Sequence, residues 1–569
     1  MRYLALACDY DDTLARNGEV GAETLAALEK VRASGRKLLL VTGRELDDLL
    51  AVFPEIEIFE WVVAENGALL YRPGSPEPRL LASAPPESFV KALRERGIAP
   101  LSVGRVIVAT REPNETPVLE TIRDEGLELG VIFNKGAVMV LPYGVNKATG
   151  LAAALAEMVL SPHNVIGIGD AENDHAFLDL CECSAAVANA LPALQKRVDL
   201  ITRESRGAGV AELADRLVAT DLEELAPRLT RHSILLGSRE DGRKVELKTH
   251  GEALLLAGWS GSGKSTTTAG IVERVSEAGY QFCLVDPEGD HENLAGSVSL
   301  GDANRAPSLE EALALLEDPT RNLTINLLGV PMEDRPAFFQ SLVFRLEELR
   351  ARTGRPHWLM VDEAHHLLPA SREPAHEPAA GPWGLILITL DPGRISPRAL
   401  APIRVALALG DFPGDTLGSL AKALGVPHPE VGKVSLKPKE ALAWYRDGEE
   451  PPFRMTCAPP ASERKRHHRK YAEGDLGEDR SFYFRGPEGK LNLRAQNLIF
   501  FLQLAEGVDD ETWNHHLHAG DYSEWFREGI KDEGLAEEAM ATEGDRNLTP
   551  DESRSRIRQA VESRYTAPS

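Results

Sequence analysis

Two groups of residues in this 569-residue chain combine types and spacing that suit phosphate chemistry. Gly258, Gly261, Ser262, Gly263, Lys264, Ser265 and Thr266 lie in a G-x-x-x-x-G-K-S-T run directly after the apolar residues 253–257. A strand that ends in such a turn and opens a helix aims successive backbone N–H groups at nucleotide phosphates; Lys264 would reach the β/γ-phosphates of ATP and Ser265 would ligate Mg²⁺. Downstream, the apolar residues 358–361 end in Asp362-Glu363. Asp362 is placed to hold Mg²⁺ through water or Ser265, and Glu363 to polarise an attacking water, so hydrolysis is expected rather than binding alone. Thr389 closes another apolar run, 385–388, where a polar residue can sense the γ-phosphate.

The second group is spread over the first 174 residues: Asp9-Tyr10-Asp11-Asp12-Thr13, Thr42-Gly43-Arg44, Lys147, and Asp170 with Asp174. Each follows an apolar, strand-like run, so a parallel sheet would bring all four to one edge. The chemistry is coherent. One carboxylate can attack phosphorus, a second can serve as acid and base, a hydroxyl and an ammonium can hold phosphoryl oxygens, and further carboxylates can hold Mg²⁺.

The elements that must position these groups follow a βα rhythm over residues 1–212, with strands expected at 3–8, 37–41, 61–64, 138–141 and 165–168. Residues 82–134 interrupt it with their own strand and helix patterns and read as an inserted cap. Residues 213–232 are polar and charged and read as a linker, 233–450 as a second α/β domain, and 451–480, with the basic run 464–470, as another linker. Residues 481–569 read as mainly helical, with Phe482, Phe484, Trp513, Tyr522, Trp525 and Phe526 as a small core. His515, His516 and His518 lack the spacing of a metal site. The fold class is therefore α/β and multidomain: a Rossmann-like core with an inserted α/β cap, a P-loop α/β domain and a small, mainly helical C-terminal domain.

The first four motifs, in this order, resemble the haloacid dehalogenase superfamily, in particular phosphatases with a large cap between the second and third motifs. The resemblance implies that Asp9 is the nucleophile and Asp11 the general acid and base. It implies that Thr42 and Lys147 bind the transferring phosphoryl group, and that Asp9, the Asp11 carbonyl, Asp170 and Asp174 hold Mg²⁺. Asn66-Gly67 matches the subgroup that includes Cof-type and phosphoglycolate phosphatases. Asp12 departs from the glycine usual in D-x-D-G-T. The second domain is similar to the HerA/FtsK group of ATPases, in which the 286–290 motif (D-P-E-G-D) lies beside the nucleotide and rings form with an arginine supplied by a neighbour. Arg394, Arg398 and Arg404 are candidates for that arginine, and an oligomer through this domain is implied. Thr389-Leu390-Asp391 departs from the Thr-Gln of those translocases.

Composition narrows the partners. A net charge of −25 argues against sequence-independent binding to nucleic acid or anionic membranes. The five cysteines lack paired spacing, as expected of reduced thiols, and no apolar run approaches a membrane span, so a cytoplasmic protein is expected. A large cap closes over small substrates, so the expected partner is a small phosphorylated metabolite, a sugar phosphate or a phosphoglycolate-like ester. The alternative is a nucleic-acid motor whose accessory phosphatase trims phosphate ends.

Overall fold

The computed structural model describes all residues except 260, 292–293, 295, 372–382, 433, 449, 462–475, 478–479, 531, 547 and 566–569. The basic run 464–470 lies outside the described residues. The chain forms two compact units, Met1–Ala458 and Pro459–Ser569.

The first unit contains two large sheets. In the first, the order is Leu200–Ile201, Cys183–Ala186, Val165–Gly169, Ala5–Cys8, Lys37–Val41, Trp61–Ala64, Leu69–Tyr71 and Arg79–Leu80. Strands up to Trp61–Ala64 are parallel, and the last two turn antiparallel. The central strand Ala5–Cys8 is buried at every position, as a parallel strand covered on both faces must be. Chain order reverses on either side of it, so the crevice beyond its C-terminal end is where ligands bind in such sheets.

A separate antiparallel sheet, Leu129–Asn134, Ala137–Pro142, Val108–Arg111 and Ser102–Val103, forms the cap with helices Glu87–Glu95 and Glu115–Asp124. The expectation of a core strand at 138–141, with the cap ending at 134, is corrected here. Those residues pair with both Leu129–Asn134 and Val108–Arg111, so the cap keeps its last hairpin intact. An isolated apolar run cannot declare which sheet it joins.

Residues 213–232 are not a free linker either. Helix Arg206–Thr220 packs on helix Ala22–Ala33, and Leu213, Leu217, Leu222, Leu225 and Leu229 are buried in the first core. Arg231 then donates to the carbonyls of Leu178 and Cys181.

The second sheet has eleven strands in the order Lys244–Leu247, Ile234–Arg239, Phe453–Cys457, Glu440–Tyr445, Ile403–Leu409, Ala253–Ala257, Gly384–Thr389, Trp358–Val361, Phe282–Asp286, Asn322–Asn326 and Ser297–Leu300. The last seven are parallel and the first four complete an antiparallel edge. Phe453–Cys457 thus belongs to the sheet, in a stretch whose Pro and charge content reads as linker.

The two sheets meet at the N-terminal ends of their parallel strands. His163, just before Val165–Gly169, donates from Nε2 to Ala278 O (2.8 Å) and stacks on Tyr280, two residues before Phe282–Asp286. Asn164 donates to the carbonyls of Arg2 and Gly354. At the centre, buried Glu182 is bonded by Arg2, His163, His250 and the Tyr280 hydroxyl. Both C-terminal strand edges, where the two residue groups sit, therefore face away from this seam.

In the second unit, the hairpin Phe482–Phe484 and Leu493–Ala495 packs, among the described residues, with five helices around Phe501, Trp513, Tyr522 and Phe526. His516 is structural: Nε2 accepts from Arg485 N (3.0 Å) and Nδ1 meets Asp521 (2.6 Å). No membrane-length apolar helix occurs among the described residues.

Candidate active sites at two strand edges

Asp9 leaves the central strand with its N–H bonded to Ile168 O (3.0 Å) and its side chain buried. Lys147 Nζ lies between Asp9 (2.5 Å) and Asp174 (2.6 Å). Lys147 opens helix Lys147–Glu157, whose N-cap Asn146 accepts the N–H groups of Ala148 and Thr149. That helix start lies so close to the turn after Trp61–Ala64 that a Cβ at Gly67 would sit 1.8 Å from Asn146 O. Gly67 is thus required, and it also takes φ +103.

Asp174 Oδ2 accepts the N–H groups of Asp170 (2.8 Å) and Ala171 (2.9 Å), folding the turn after Val165–Gly169 back on itself. Oxygens of Asp9, Asp170 and Asp174 consequently lie within 4.8 Å of one another. Three buried carboxylates are a hard donor set that fits Mg²⁺, and here the Lys147 and Lys135 ammonium groups lie among them. Burial, and then the Asp174 carboxylate, push Asp170 up to about 6 against the pull of Lys135. Burial and Asp174 likewise push Asp9 well above the ordinary carboxylate value. Burial disfavours the Lys147 ammonium, but the Asp174 and Asp9 carboxylates outweigh it and raise its pKa.

Thr42 is buried at the end of Lys37–Val41, and its hydroxyl accepts from Arg44 N (3.1 Å). Asp11 stands apart from the three-carboxylate group: Arg44 grips it through Nε (2.8 Å) and Nη2 (2.7 Å). Asp12 adopts φ +57, which explains why glycine is usual there and why aspartate is tolerated. Its carboxylate bonds Lys135 and Arg206, both at 2.9 Å.

Further side chains around this group have no local signal in the sequence. Arg44 stands beside Thr42 as part of a short T-G-R run. Glu65 and Asn66 take consecutive left-handed conformations, and the Glu65 carboxylate accepts the N–H groups of Arg105, Val106 and Ile107, tying cap to core. Lys135, at the tip of the last cap hairpin, reaches Asp170 and Asp12. The Asn134-Lys135-Gly136 turn between two alternating strands marks that hairpin in the sequence, though not the contact.

Residues 6–99 and 102–213 match the family model of haloacid dehalogenase-like hydrolases. Over 223 residues the chain is 30% identical to the phosphoglycolate phosphatase of Methanothermobacter thermautotrophicus, covering 38% of this chain and 98% of that protein. The N-terminal region belongs to the haloacid dehalogenase-like hydrolases. Phosphoglycolate phosphatase 2 of Saccharolobus solfataricus is 27% identical over 226 residues, 38% of this chain and 93% of its own length. A solved haloacid dehalogenase-like hydrolase from Bacteroides thetaiotaomicron is 19% identical with a TM-score of 0.34, covering 38% of this chain and 99% of that one.

Beyond this hydrolase region, the glycine loop 258–265 follows the buried strand Ala253–Ala257 and enters helix Lys264–Glu277. Gly261 and Gly263 take φ +80 and +95. Lys264 Nζ donates to the carbonyls of Gly258 (2.8 Å) and Trp259 (3.2 Å), while Ser265 is exposed and Thr266 half-buried. Thr389 pairs in register with Ala257 beside the loop, and its hydroxyl meets His365 Nδ1 (3.2 Å). Asp362, on the neighbouring strand, accepts Glu363 N (2.9 Å) and contacts His291 Nε2 (2.9 Å). Burial, and then Asp362, push Glu363 up to about 7 against Lys264. Asp286 spends its carboxylate on the N–H groups of Glu288, Gly289 and His291, shaping its own loop. Arg394 lies in the turn after Thr389. Arg404 is at the opposite end of its strand, paired with Asp447 (2.6 Å).

Proposed function

We propose that the hydrolase region dephosphorylates a small phosphomonoester of the phosphoglycolate class with Mg²⁺, and that residues 233–457 bind and hydrolyse ATP. The carrying observation is Lys147 held between Asp9 and Asp174, with Asp170 completing the carboxylate group. Asp9 attacks phosphorus and the ester P–O bond breaks. Asp11, exchanging Arg44 for the substrate, gives a proton to the leaving oxygen, then takes one from the water that attacks the aspartyl-phosphate, so that phosphate leaves and Asp9 returns as a carboxylate. Lys147 and the Thr42 hydroxyl offset the negative charge on the phosphoryl oxygens. Mg²⁺ held by Asp9, Asp170 and Asp174 would supply charge neutralisation for that same group.

The second activity is supported by the glycine loop opening a helix, with Asp362 and Glu363 on a nearby strand end. In this reading Gly258, Gly261, Ser262, Gly263, Lys264, Ser265 and Thr266 form the phosphate cradle, and Asp362 and Ser265 hold Mg²⁺. Screening the full chain with Mg²⁺ against a panel of phosphate esters tests the first activity. Phosphoglycolate is expected among the best substrates, and a panel with no turnover above an Asp9→Asn control refutes the reading.

A further inference from the structure

The cap hairpin pairs Asn134 with Ala137, so Lys135 and Gly136 form a two-residue turn with φ +46 and +79. Asparagine or glycine would sit there freely, whereas a lysine costs roughly 1 kcal/mol of backbone strain. The side chain accounts for its presence. Nζ crosses from cap to core, onto Asp170 (2.5 Å) and Asp12 (2.9 Å).

The cap's other ion-paired basic residues point elsewhere: Arg96 and Arg123 to Asp124, Arg105 to Asp47. Over the Thr42 turn the cap presents apolar side chains, while Ser102 and Arg105 reach Glu45 and Asp47 of the core. Ile107, Met139 and Leu141 cluster with Ala68, and Met139 Sδ would lie 3.7 Å from a Cβ at Gly43, over the Thr42 turn. Apolar side chains over the Thr42 turn, with one ammonium beside them, suit a short leaving group bearing a single negative charge better than a polyhydroxylated sugar. Asp12, moreover, retains Arg206 as a partner if Lys135 moves away.

We propose that Lys135 competes with a divalent cation for Asp170 and, once displaced by it, pairs with the carboxylate of a short phosphorylated hydroxy acid. This rests on the phosphomonoesterase reading above and names the feature of the substrate that the cap reads. An ammonium and a divalent cation cannot both saturate one carboxylate, so metal binding releases the cation beside the phosphoryl site.

The full chain, with Lys135→Ala and Lys135→Arg variants, decides it by two measurements. Calorimetric titration with Mg²⁺ alone should give at least several-fold tighter binding to Lys135→Ala than to wild type. The ratio of kcat/KM for phosphoglycolate over ethyl phosphate should fall at least about tenfold in Lys135→Ala and be largely kept in Lys135→Arg. An unchanged Mg²⁺ affinity removes the competition, and an unchanged ratio removes the carboxylate pairing; either overturns the proposal. If wild type turns over esters but does not prefer phosphoglycolate to ethyl phosphate, the carboxylate reading itself falls. If wild type turns over neither, the phosphomonoesterase reading falls first.

Discussion

The two strand edges of the first unit manage charge in opposite ways. At Asp9 every cation is matched by carboxylates: Lys147 by Asp9 and Asp174, Lys135 by Asp170 and Asp12, Arg44 by Asp11 and Asp48. At Gly258 the Lys264 ammonium donates to the carbonyls of Gly258 and Trp259, while Glu363 sits among Asp362, Glu288 and Asp290 with its pKa pushed up to about 7. At the first edge each of these cations bridges two carboxylates, so charged side-chain pairs set the geometry. At the second, the glycine loop holds the lysine beside backbone carbonyls, and the side-chain pairs are those of Asp362 with His291 and Thr389 with His365.

The largest test of this contrast is Asp9→Asn. Hydrolysis of phosphate esters should fall by about 10³-fold or more, because an amide cannot form the acyl phosphate. The melting temperature should change little, since Lys147 keeps Asp174. Phosphate release at the wild-type rate would remove Asp9 from the chemistry.

Next comes the seam that separates the edges. Glu182→Gln leaves Arg2, His163 and His250 facing a neutral amide, and losing one partner of a buried ion pair costs about 3–5 kcal/mol. Denaturant unfolding should weaken accordingly and split into separate transitions for the two sheets; a single unshifted transition would show the seam to be indifferent to this charge. The same seam should weaken in acid. Burial alone would raise Glu182, but His250 and His163 hold it well below the carboxylate reference of 4.5. Burial, helped by nearby His163, holds His357 well below the imidazole reference of 6.5. Both groups bind fewer protons folded than unfolded, so each contributes stability that grows with pH. The His357 share should be complete above about 6.5 and decline below it, and the Glu182 share should be lost only as pH falls beneath about 4.5. Stability measured from pH 8 to 4 checks the sign.

At the second edge, Glu363→Gln should keep ATP binding and lose hydrolysis by roughly 10²-fold or more, whereas Lys264→Ala should lose binding itself. Equal effects on both quantities in the two variants would break the division between water activation and phosphate contact.

The smallest effect is communication. The edges face opposite ends, and the seam around Glu182 lies between them. Saturating ATP in the Glu363→Gln background should change kcat/KM for ester hydrolysis several-fold, within the roughly 1–3 kcal/mol usual for coupled sites, and adding Glu182→Gln should diminish it. Identical kinetics with and without ATP, with binding verified, would leave the two edges energetically separate.

Family membership of the N-terminal region was legible because its motifs are local: a strand, a turn and a polar residue within a few positions, repeated four times in order. The glycine loop was legible for the same reason. What the sequence could not declare was pairing between distant segments. Residues 138–141 look like any buried strand, and only their partners Leu129–Asn134 and Val108–Arg111 place them in the cap. Residues 213–232 look polar, yet their leucines fall on the face that meets the first core. Lys135 is an ordinary turn residue until the hairpin is laid over Asp170, which lies 35 positions away. Glu182 is a lone carboxylate between two cysteines until two sheets close around it. Short-range spacing determined which chemistry this chain carries; sheet pairing and burial, which act between residues far apart in sequence, decided which charges meet and which way the two edges face.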